Sequence, residues 1–473
     1  YSHEVSRHRE VLPDRPYVAP PDQGKVDLLG MDGRGEELTR ILLDRPWRGP
    51  VWRALFEKIE GLSPLLAREL VCRSGLTPQT SIEECGAYEF DRLNQAVRWL
   101  QGTVLAGGFQ PNLVAGNTPA AGELNLNTRL VEFAAVPLLQ FTGEDYRVYC
   151  YESPSELLEA CYRVRQLQNQ WRGLYQELNR VIQASREKAF GKLALRQDSL
   201  KQIELAEGFK HWGDLIMTFL YRIKPGMEEI RVPDLYGSGE EISIPLSPQL
   251  TPIQNAQEYY RRYNRARRSQ AAVRHYLEES RQEVEYLESV GQALTMAGTL
   301  QELQEIREEL VEQGYLRAPS DRAKKVKKGG KPLKDKERGT EVSPARFLSS
   351  DGYEILVGKN NRQNDFLTMK LARKGDIWLH AKGLPGAHVV IRVRSRQPAA
   401  EGGDFPVPDR TLTEAAGLAA YFSRGRHTSK VSVDYTQRQN VRKPSGSPPG
   451  KVVYESYRTL LVSPQLLPEF QSE

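Results

Sequence analysis

The chain has 473 residues, of which 39% are hydrophobic and 27% are charged, and its mean hydropathy is −0.56. This length accommodates two to four domains with their own cores. The sequence contains no run of eighteen or more apolar residues, so we expect no membrane-spanning helix. The net charge is only +5, from 66 basic and 61 acidic residues, so bulk charge does not demand a nucleic-acid partner.

Residues 1–43 form a loop-rich lead-in whose polar, Pro-rich opening has no apolar start of its own. We interpret it as the tail of an N-terminal domain and expect further chain before Tyr1. The four cysteines, Cys72, Cys85, Cys150 and Cys161, contain no CxxC pair. Free thiols in a reducing compartment are therefore expected, rather than a zinc site or a disulfide framework.

Residues 44–108 are predicted to be helical, and the segment IEGLSPLLA within them is typical of a helix–hairpin–helix. Such a hairpin needs a glycine at its turn, and a serine followed by proline suits the start of the second helix. Exposed amides at that start can hold a phosphate, although a plain helical hairpin explains the same residues. The candidate phosphate-binding residues are Gly61, Ser63, Arg68 and Arg73.

Residues 109–151 are predicted as short strands, including LVEFAAVPLL and YRVYCY, which would complete the N-terminal domain. A long helix is expected to follow, with Ser155 as its N-cap after Pro154. Its apolar residues recur at alternating steps of three and four, which indicates a coiled-coil seam. The seam contains Leu157, Cys161, Val164, Leu167, Trp171, Leu174, Leu178 and Val181.

A second seam runs from about Pro252 to Gly314 with a break near Gly298. Together the two helices predict an antiparallel coiled-coil hairpin over residues 152–318. The intervening residues, about 206–251, read as a small helix-plus-strand insert at the hairpin tip.

The segment Tyr259–Arg268 carries five arginines and three tyrosines near the start of the second long helix. Arginine pairs with phosphates and tyrosine stacks on bases, so Arg261 and Arg262 are candidate RNA-binding residues. The alternative is that the tyrosines pack inside the protein while the arginines stay solvated.

Residues 319–344 form a predicted basic linker, since DRAKKVKKGGKPLKDKER has seven lysines, two arginines and three acids. Its glycines and proline oppose a stable helix. A solvated tether and a phosphate-contacting arm are both consistent with this composition.

Residues 345–473 are predicted as a mixed α/β domain, with strands at YEILVG, FLTMKLA, DIWLHA, HVVIRV, VSVDYT and VVYESYRTLLVSP and a helix at TLTEAAGLAAYFSRG. The segment KNNRQND reads as a polar loop suited to phosphates and base edges. Its candidate RNA-binding residues are Lys359, Asn360, Asn361 and Arg362.

The segment DIWLHAKGLPGAHVVIR supplies further RNA-binding candidates: Asp376, Trp378, His380 and Lys382. Strand alternation places the first three on the face opposite Ile377 and Leu379, where Trp and His suit base stacking. Trp378 equally suits a core position. Arg442 and Lys443 would add a basic rim. His380 and His388 lack a matched carboxylate or Cys, so no metal is expected.

We find no P-loop, GxSxG elbow, HExxH or kinase motif, and no nucleophile paired with a base. The sequence therefore favours a binding protein that needs no cofactor over an enzyme. The class predicted is α+β multidomain: a helical helix–hairpin–helix region, a coiled-coil hairpin with a tip insert, and a C-terminal α/β domain.

The order of these segments, with EILVGKNNRQNDFLTMKLARKGDIWLHAKGLPGAHVVIR at its most specific, resembles the NFACT family over essentially the whole chain. GLSPLLARELVCRSGL, PLSPQLTPIQNAQEYYRRYNRAR and EIREELVEQGYLR are also similar to that family. The resemblance implies that residues 1–43 belong to a truncated NFACT-N-like domain and residues 345–473 to an NFACT-R-like RNA-binding domain.

The resemblance further implies a cytoplasmic quality-control factor bound to large ribosomal subunits obstructed by peptidyl-tRNA. Such proteins recruit alanyl-tRNA and promote untemplated alanine tailing of stalled chains, while the ribosome performs the peptide-bond chemistry. Implied contacts are rRNA, the stalk-base protein, tRNA and a small RNA-binding protein, without a membrane. Because the family's tRNA-selecting Asp-Arg pair is expected before Tyr1, we expect subunit binding without tailing by this chain.

Two other classes of protein remain open from the sequence. One is a surface adhesin, because family members were once labelled fibronectin-binding proteins. The other is a DNA-binding or repair protein, because helix–hairpin–helix elements occur in glycosylases. Cell fractionation distinguishes the first alternative, and a glycosylase assay on damaged duplex DNA distinguishes the second.

Overall fold

The computed structural model describes residues 16, 19, 23–31, 35–44, 48–116, 124–235, 240–317, 343–393 and 407–468. It divides into two compact units, residues 1–169 and 170–473. Most of the predicted lead-in and basic linker lies outside the described residues. The predicted α+β class is confirmed, whereas the predicted domain boundaries stay predictions.

The first unit begins with strand β1 (Val26–Asp27) and helices α1 (Gly35–Leu43) and α2 (Val51–Lys58). Strand β2 (Ile59–Glu60) pairs in parallel with β1 and leads into α3 (Pro64–Arg73) and α4 (Ala87–Leu105). Leucines and valines from all four helices form one buried core. The predicted helical region is therefore a packed bundle with a two-residue strand inside its hairpin.

A three-stranded antiparallel sheet follows, with β3 (Asn112–Gly116) between β4 (Arg129–Ala134) and β5 (Tyr146–Cys150). Helix α5 (Pro154–Leu205) begins next. The Ser153 hydroxyl accepts a hydrogen bond from the Glu156 amide across 3.2 Å. The predicted Ser155 cap is therefore wrong by two residues, because Pro154 is the first helical residue and Ser155 already lies inside the helix.

The second unit contains the rest of α5, helix α6 (Glu207–Thr218), and the antiparallel strands β6 (Glu229–Pro233) and β7 (Glu241–Pro245). Apolar residues of this helix and hairpin form a separate small core with the start of the next long helix. The helix-plus-strand insert predicted at the hairpin tip thus has its own packing.

Helix α7 (Pro252–Met296) has Thr251 as its N-cap. The Thr251 side chain accepts from the Gln254 amide, and the Gln254 side chain accepts from the Thr251 amide. Residues further along α5 contact residues earlier in α7: Ile182 lies beside Gly291, and Lys192 pairs with Glu283. That order is antiparallel. Helix α8 (Leu300–Glu312) follows a break at residues 297–299, which includes Gly298, where the break was predicted.

The C-terminal sheet contains β8 (Ala345–Leu348) and β9 (Glu354–Gly358), followed by the short helix α9 (Asn361–Asp365) and a π-helix (Phe366–Leu371). The predicted strand at FLTMKLA is wrong. The Asn360 side chain caps α9 by accepting from the Gln363 amide at 2.8 Å, and Leu367 and Leu371 then lie on one helical face. Helical spacing therefore buries this segment better than alternation does.

The remaining elements are β10 (Ile377–Ala381), β11 (His388–Ile391), α10 (Asp409–Tyr421), β12 (Val431–Gln437), β13 (Val441–Arg442), β14 (Val453–Tyr454) and β15 (Arg458–Val462). The six-stranded sheet has the order β15-β12-β10-β11-β9-β8. One face packs on α10 in a large core, and the other packs on the π-helix and the β13–β14 hairpin. None of the described helices is both long and apolar enough to cross a bilayer.

Candidate nucleic-acid interface

The predicted helix–hairpin–helix turn has the backbone geometry that such a turn needs. Gly61 adopts φ +78°, a conformation that a side chain disfavours, and a Cβ there would meet nothing within 4 Å. The Ser63 hydroxyl accepts from the Leu66 amide across 3.2 Å, and Pro64 is the first residue of α3. The turn therefore presents the start of α3 at an exposed corner.

Arg68 and Arg73 lie on the same helix but have different environments. Arg68 is exposed, with its guanidinium 4.3 Å from the centre of the Trp52 ring. Arg73 pairs with the buried Glu69 at 2.8 Å and donates to the Pro137 carbonyl at 2.7 Å. Arg68 therefore remains a candidate phosphate contact, whereas Arg73 ties α3 to the connection between β4 and β5.

In the Tyr259–Arg268 segment the tyrosines are buried or half-buried, and the arginines are exposed. The Tyr259 hydroxyl donates to the Pro245 carbonyl at 2.6 Å, and that of Tyr260 donates to Asp214 at the same distance. Arg261 and Arg262 project into solvent and pair with Glu258 at 3.1 and 3.4 Å. The tyrosines hold the tip insert together, and the two arginines remain candidates for RNA contact.

The KNNRQND residues lie against α8 rather than in an open loop. Asn360 and Gln363 both donate to one oxygen of Glu305, at 2.6 and 2.8 Å. Asn361 donates to Glu309 at 3.0 Å and to the Ser289 hydroxyl at 2.9 Å. These amides are buried and already paired.

The charged neighbours of these amides are also paired with α8. Lys359 lies 3.4 Å from Glu302, and Arg362 contacts Glu308 and lies 3.5 Å from Glu312. The structure therefore brings Lys359, Asn360, Asn361 and Arg362 together as a joint between the C-terminal domain and α8, referred to below as the α8 joint.

Burial has an electrostatic consequence inside the α8 joint. Burial raises the pKa of Glu309 to about 7, against the opposing effect of its hydrogen bond from Asn361. Part of the Glu309 population is thus protonated near neutral pH. Glu309 is therefore a carboxyl group inside the joint that titrates in the physiological range, whereas the Asn361 amide that it accepts from does not.

Asp376 and Trp378 are both buried in the C-terminal domain. The Asp376 carboxylate accepts from the amides of Arg373 and Val393, at 2.8 and 3.0 Å, and so holds the turn before β10. Trp378 is 0% exposed and packs with Leu356, Leu367, Val390 and Val441. In this arrangement the indole stacks on protein neighbours and presents no open face.

A rung of polar side chains crosses four strands on the same sheet face as Trp378. The register pairs His380 with Asp434 and Asp434 with Thr459, and the His380 and His388 rings lie 5.4 Å apart. Asp434 is almost fully buried and accepts from Tyr454 at 2.9 Å and Thr459 at 2.6 Å. His388 is buried beside the Thr368 hydroxyl at 2.7 Å.

Three basic candidates surround this rung. Lys382 is half exposed, lies 3.6 Å from Asp434, and stands over the Tyr457 ring at 5.1 Å. Arg442 is exposed at the end of β13, and the neighbouring Lys443 pairs with Asp365. These side chains form an exposed basic border beside a buried polar interior.

A cleft of about 380 Å³ opens between α7 and this face of the C-terminal domain. His380 from the rung and Tyr454, which donates to Asp434, both line the cleft and are partly exposed. Burial lowers the pKa of His380 to about 4, although nearby Asp434 opposes this effect. The imidazole is therefore neutral at physiological pH; one ring nitrogen donates to the Gly386 carbonyl, and the other is an acceptor.

Among the described residues, no group of three or more His, Cys, Asp and Glu side chains is arranged to hold a metal ion. The four cysteines are unbridged. His380 and His388 are therefore best described as parts of the polar rung.

Comparison with known proteins gives the chain its family. Residues 1–329 match the NFACT N-terminal and middle domains, and residues 344–456 match the NFACT protein RNA binding domain. The chain belongs to the NFACT family. The match to the RNA-binding domain includes α9, the basic border and the rung residues His380, His388 and Asp434.

The chain is 33% identical to the protein named Rqc2 homolog RqcH from Bacillus subtilis, over 98% of this chain and 72% of that protein. It is 32% identical, over 20% of this chain and 9% of the relative, to the human ribosome quality control complex subunit NEMF. A solved structure, the C-terminal part of the fibronectin/fibrinogen-binding protein from Streptococcus suis, covers 62% of this chain and 96% of its own length at 33% identity and a TM-score of 0.44.

Sequence reasoning missed the acidic half of the α8 joint and the aspartate of the polar rung. A signal for the first existed, because Glu305 and Glu309 lie one helical turn apart beside the apolar residues Leu303, Ile306 and Leu310. Asp434 lies inside the strand VSVDYT, where an acidic residue is unusual. Neither signal identifies its partners without the fold.

Proposed function

We propose that this NFACT chain is an RNA-binding factor of bacterial ribosome-associated quality control. The supporting observation is 33% identity to Rqc2 homolog RqcH across 98% of the chain, with the family RNA-binding domain included. In this proposal the factor acts in the alanine tailing of stalled chains, and these 473 residues themselves bind obstructed large ribosomal subunits and tRNA. The ribosome supplies the peptide-bond chemistry, and the protein is cytoplasmic and ribosome-associated.

The exposed basic residues divide among three regions that would contact RNA. Arg68 lies beside the start of α3, Arg261 and Arg262 project near the tip insert, and Lys382 and Arg442 border the polar rung. Backbone phosphates are the natural partners of such exposed side chains. The proposed partners are therefore rRNA and tRNA, including peptidyl-tRNA and alanyl-tRNA, with a stalk-base protein and a small RNA-binding protein as further contacts.

Sedimentation of the tagged protein with purified large subunits over a salt series tests the binding step. Phosphate-dominated binding should weaken steeply as salt rises, because each neutralised phosphate releases counterions. Binding without salt dependence, or equal binding to small subunits, would contradict the proposal. Tailing is tested separately with obstructed subunits, peptidyl-tRNA and labelled alanyl-tRNA, read as lengthening of the nascent chain.

A further inference from the structure

The cleft between α7 and the C-terminal domain is lined by both apolar and polar side chains. Pro448, Pro449 and Leu384 contribute apolar surface, and the Tyr454 ring, whose centre lies 4.9 Å from that of Trp378, also lines the cleft. His380 lines the cleft from the sheet and Gln282 lines it from α7. The volume of about 380 Å³ lies in the range of small-molecule sites and is suited to a planar group with hydrogen-bonding edges.

The charges around this cleft compensate one another. Lys451 pairs with Glu285 at 3.2 Å, and Arg424 pairs with Glu288 at 3.3 Å. His380 is neutral, as described above. The interior therefore has no net attraction for a phosphate, and a neutral ligand that stacks and hydrogen-bonds suits it better.

Positive charge lies at the border of the cleft instead, most openly at Arg442, because Lys382 and Lys443 each face an aspartate. Arg442 and Lys443 lie just before the loop that carries Pro448 and Pro449, and Lys382 follows His380 by two residues. A strand of RNA whose phosphates follow this border would place an unstacked base within reach of the Tyr454 ring. Single-stranded RNA is recognised in this way elsewhere, by aromatic stacking inside a basic border.

We propose that this cleft binds one unstacked nucleobase of single-stranded RNA, with Tyr454 as the stacking wall and His380 as the hydrogen-bonding end. The inference rests on the proposed RNA-binding function and adds a ligand-binding site to it. At this site the protein recognises RNA by contacts to a base, while Lys382, Arg442 and Lys443 position the phosphates.

Two substitutions at one position separate stacking from structural support. Tyr454→Phe keeps the ring and loses the hydrogen bond to Asp434, whereas Tyr454→Leu loses both. The probe is a short single-stranded RNA with one 2-aminopurine, whose fluorescence falls when the base stacks. We expect Tyr454→Leu to raise the Kd about tenfold and abolish the fluorescence change, in the range for loss of one stacked base. Tyr454→Phe should stay within about twofold of wild type.

Equal losses in both variants would show a structural role for Tyr454 and overturn the proposal, as would unchanged binding in Tyr454→Leu. A measurement on the wild-type protein covers the case in which Tyr454→Leu does not fold. A short RNA with one 4-thiouridine should photocrosslink to residues 380–388 or 448–454, mapped by mass spectrometry. Crosslinks confined to other segments would overturn the proposal.

Large-subunit sedimentation is measured for the same variants. Retained subunit binding by a wild-type protein that fails the 2-aminopurine and crosslinking tests would reject the base cleft and leave the proposed function standing. Failure of subunit binding at low salt would reject the proposed function itself.

Discussion

The side-chain amide of Asn361 donates to the carboxyl group of Glu309 across 3.0 Å, and both residues are buried where the C-terminal domain meets α8. They lie 52 residues apart in the chain. Asn360 and Gln363 reinforce this contact through Glu305. A motif that looks like an RNA-binding loop therefore orients the RNA-binding domain on the coiled-coil hairpin of the same chain.

Removing either partner of the Asn361–Glu309 pair should loosen the α8 joint. Asn361→Ala leaves a buried carboxyl oxygen without its donor, which costs about 2 kcal/mol. Glu309→Ala should cost a similar amount, and the double variant should cost less than the sum because the pair is coupled. Hydrogen exchange of the α8 amides measures the local opening free energy. Strictly additive effects would show that the two side chains do not interact.

The stability of the α8 joint should depend on pH through Glu309. Burial raises the pKa of this carboxyl group from 4.5 to about 7 on folding. The folded state then binds the proton more tightly, so the contribution to stability is fully present below pH 4.5 and is lost as the pH rises through about 7.

Glu309→Gln keeps the side-chain size and does not titrate. Relative to this variant, wild-type protein should lose about 3 kcal/mol of stability between about pH 5 and about pH 8, at 1.36 kcal/mol per pKa unit. Calorimetry of the transition that contains the C-terminal domain measures the difference at both pH values. Glu278→Gln, at an exposed carboxylate on α7 that faces Arg281, is the matched control and should keep the wild-type pH dependence.

Trp378→Ala should destabilise the C-terminal domain rather than remove an RNA contact alone. The indole is 0% exposed, and loss of such a buried aromatic side chain costs about 3–5 kcal/mol. Thermal unfolding measures this loss, and RNA affinity is then compared at a temperature where the variant is folded. An unchanged melting temperature with weakened RNA binding would favour the base-stacking role predicted from the sequence.

Gly358→Ala should distort the junction between β9 and α9. A Cβ at Gly358 would lie 2.8 Å from the backbone nitrogen of Asn364, closer than real Cβ contacts. Because the obstacle is backbone, it cannot rotate away, and we expect a loss of about 1–3 kcal/mol. Gly375→Ala is the control, since its Cβ would meet nothing within 4 Å. Comparable melting temperatures for the two variants would show that the junction can relax.

Arg68 and Arg73 should respond differently to truncation. Arg68→Ala removes an exposed cation, so the salt slope of RNA binding should fall by about one while stability changes little. Arg73→Ala leaves the buried Glu69 without its cation and should mainly lower the melting temperature. Sedimentation over a salt series and thermal unfolding give both readouts for both variants. A reversed pattern would exchange the assigned roles.

The local sequence pattern by itself determines much of the secondary structure of this protein. The heptad spacing located both long helices, the Gly298 region marked the break before α8, and Gly61-Leu62-Ser63-Pro64 predicted a turn and the following helix start. These features depend on residues within one or two turns of each other, so the sequence carries them directly. The segment order also placed the chain in its family.

Tertiary structure decided which polar residues face solvent. Strand alternation put Trp378 and His380 on one face, but only the packing of the π-helix and the β13–β14 hairpin buried the first and left the second partly open to the cleft. KNNRQND became a helix and a joint because α8 supplies carboxylates more than fifty residues earlier. Such partners are set by packing between distant segments, and no local spacing in either segment specifies the other.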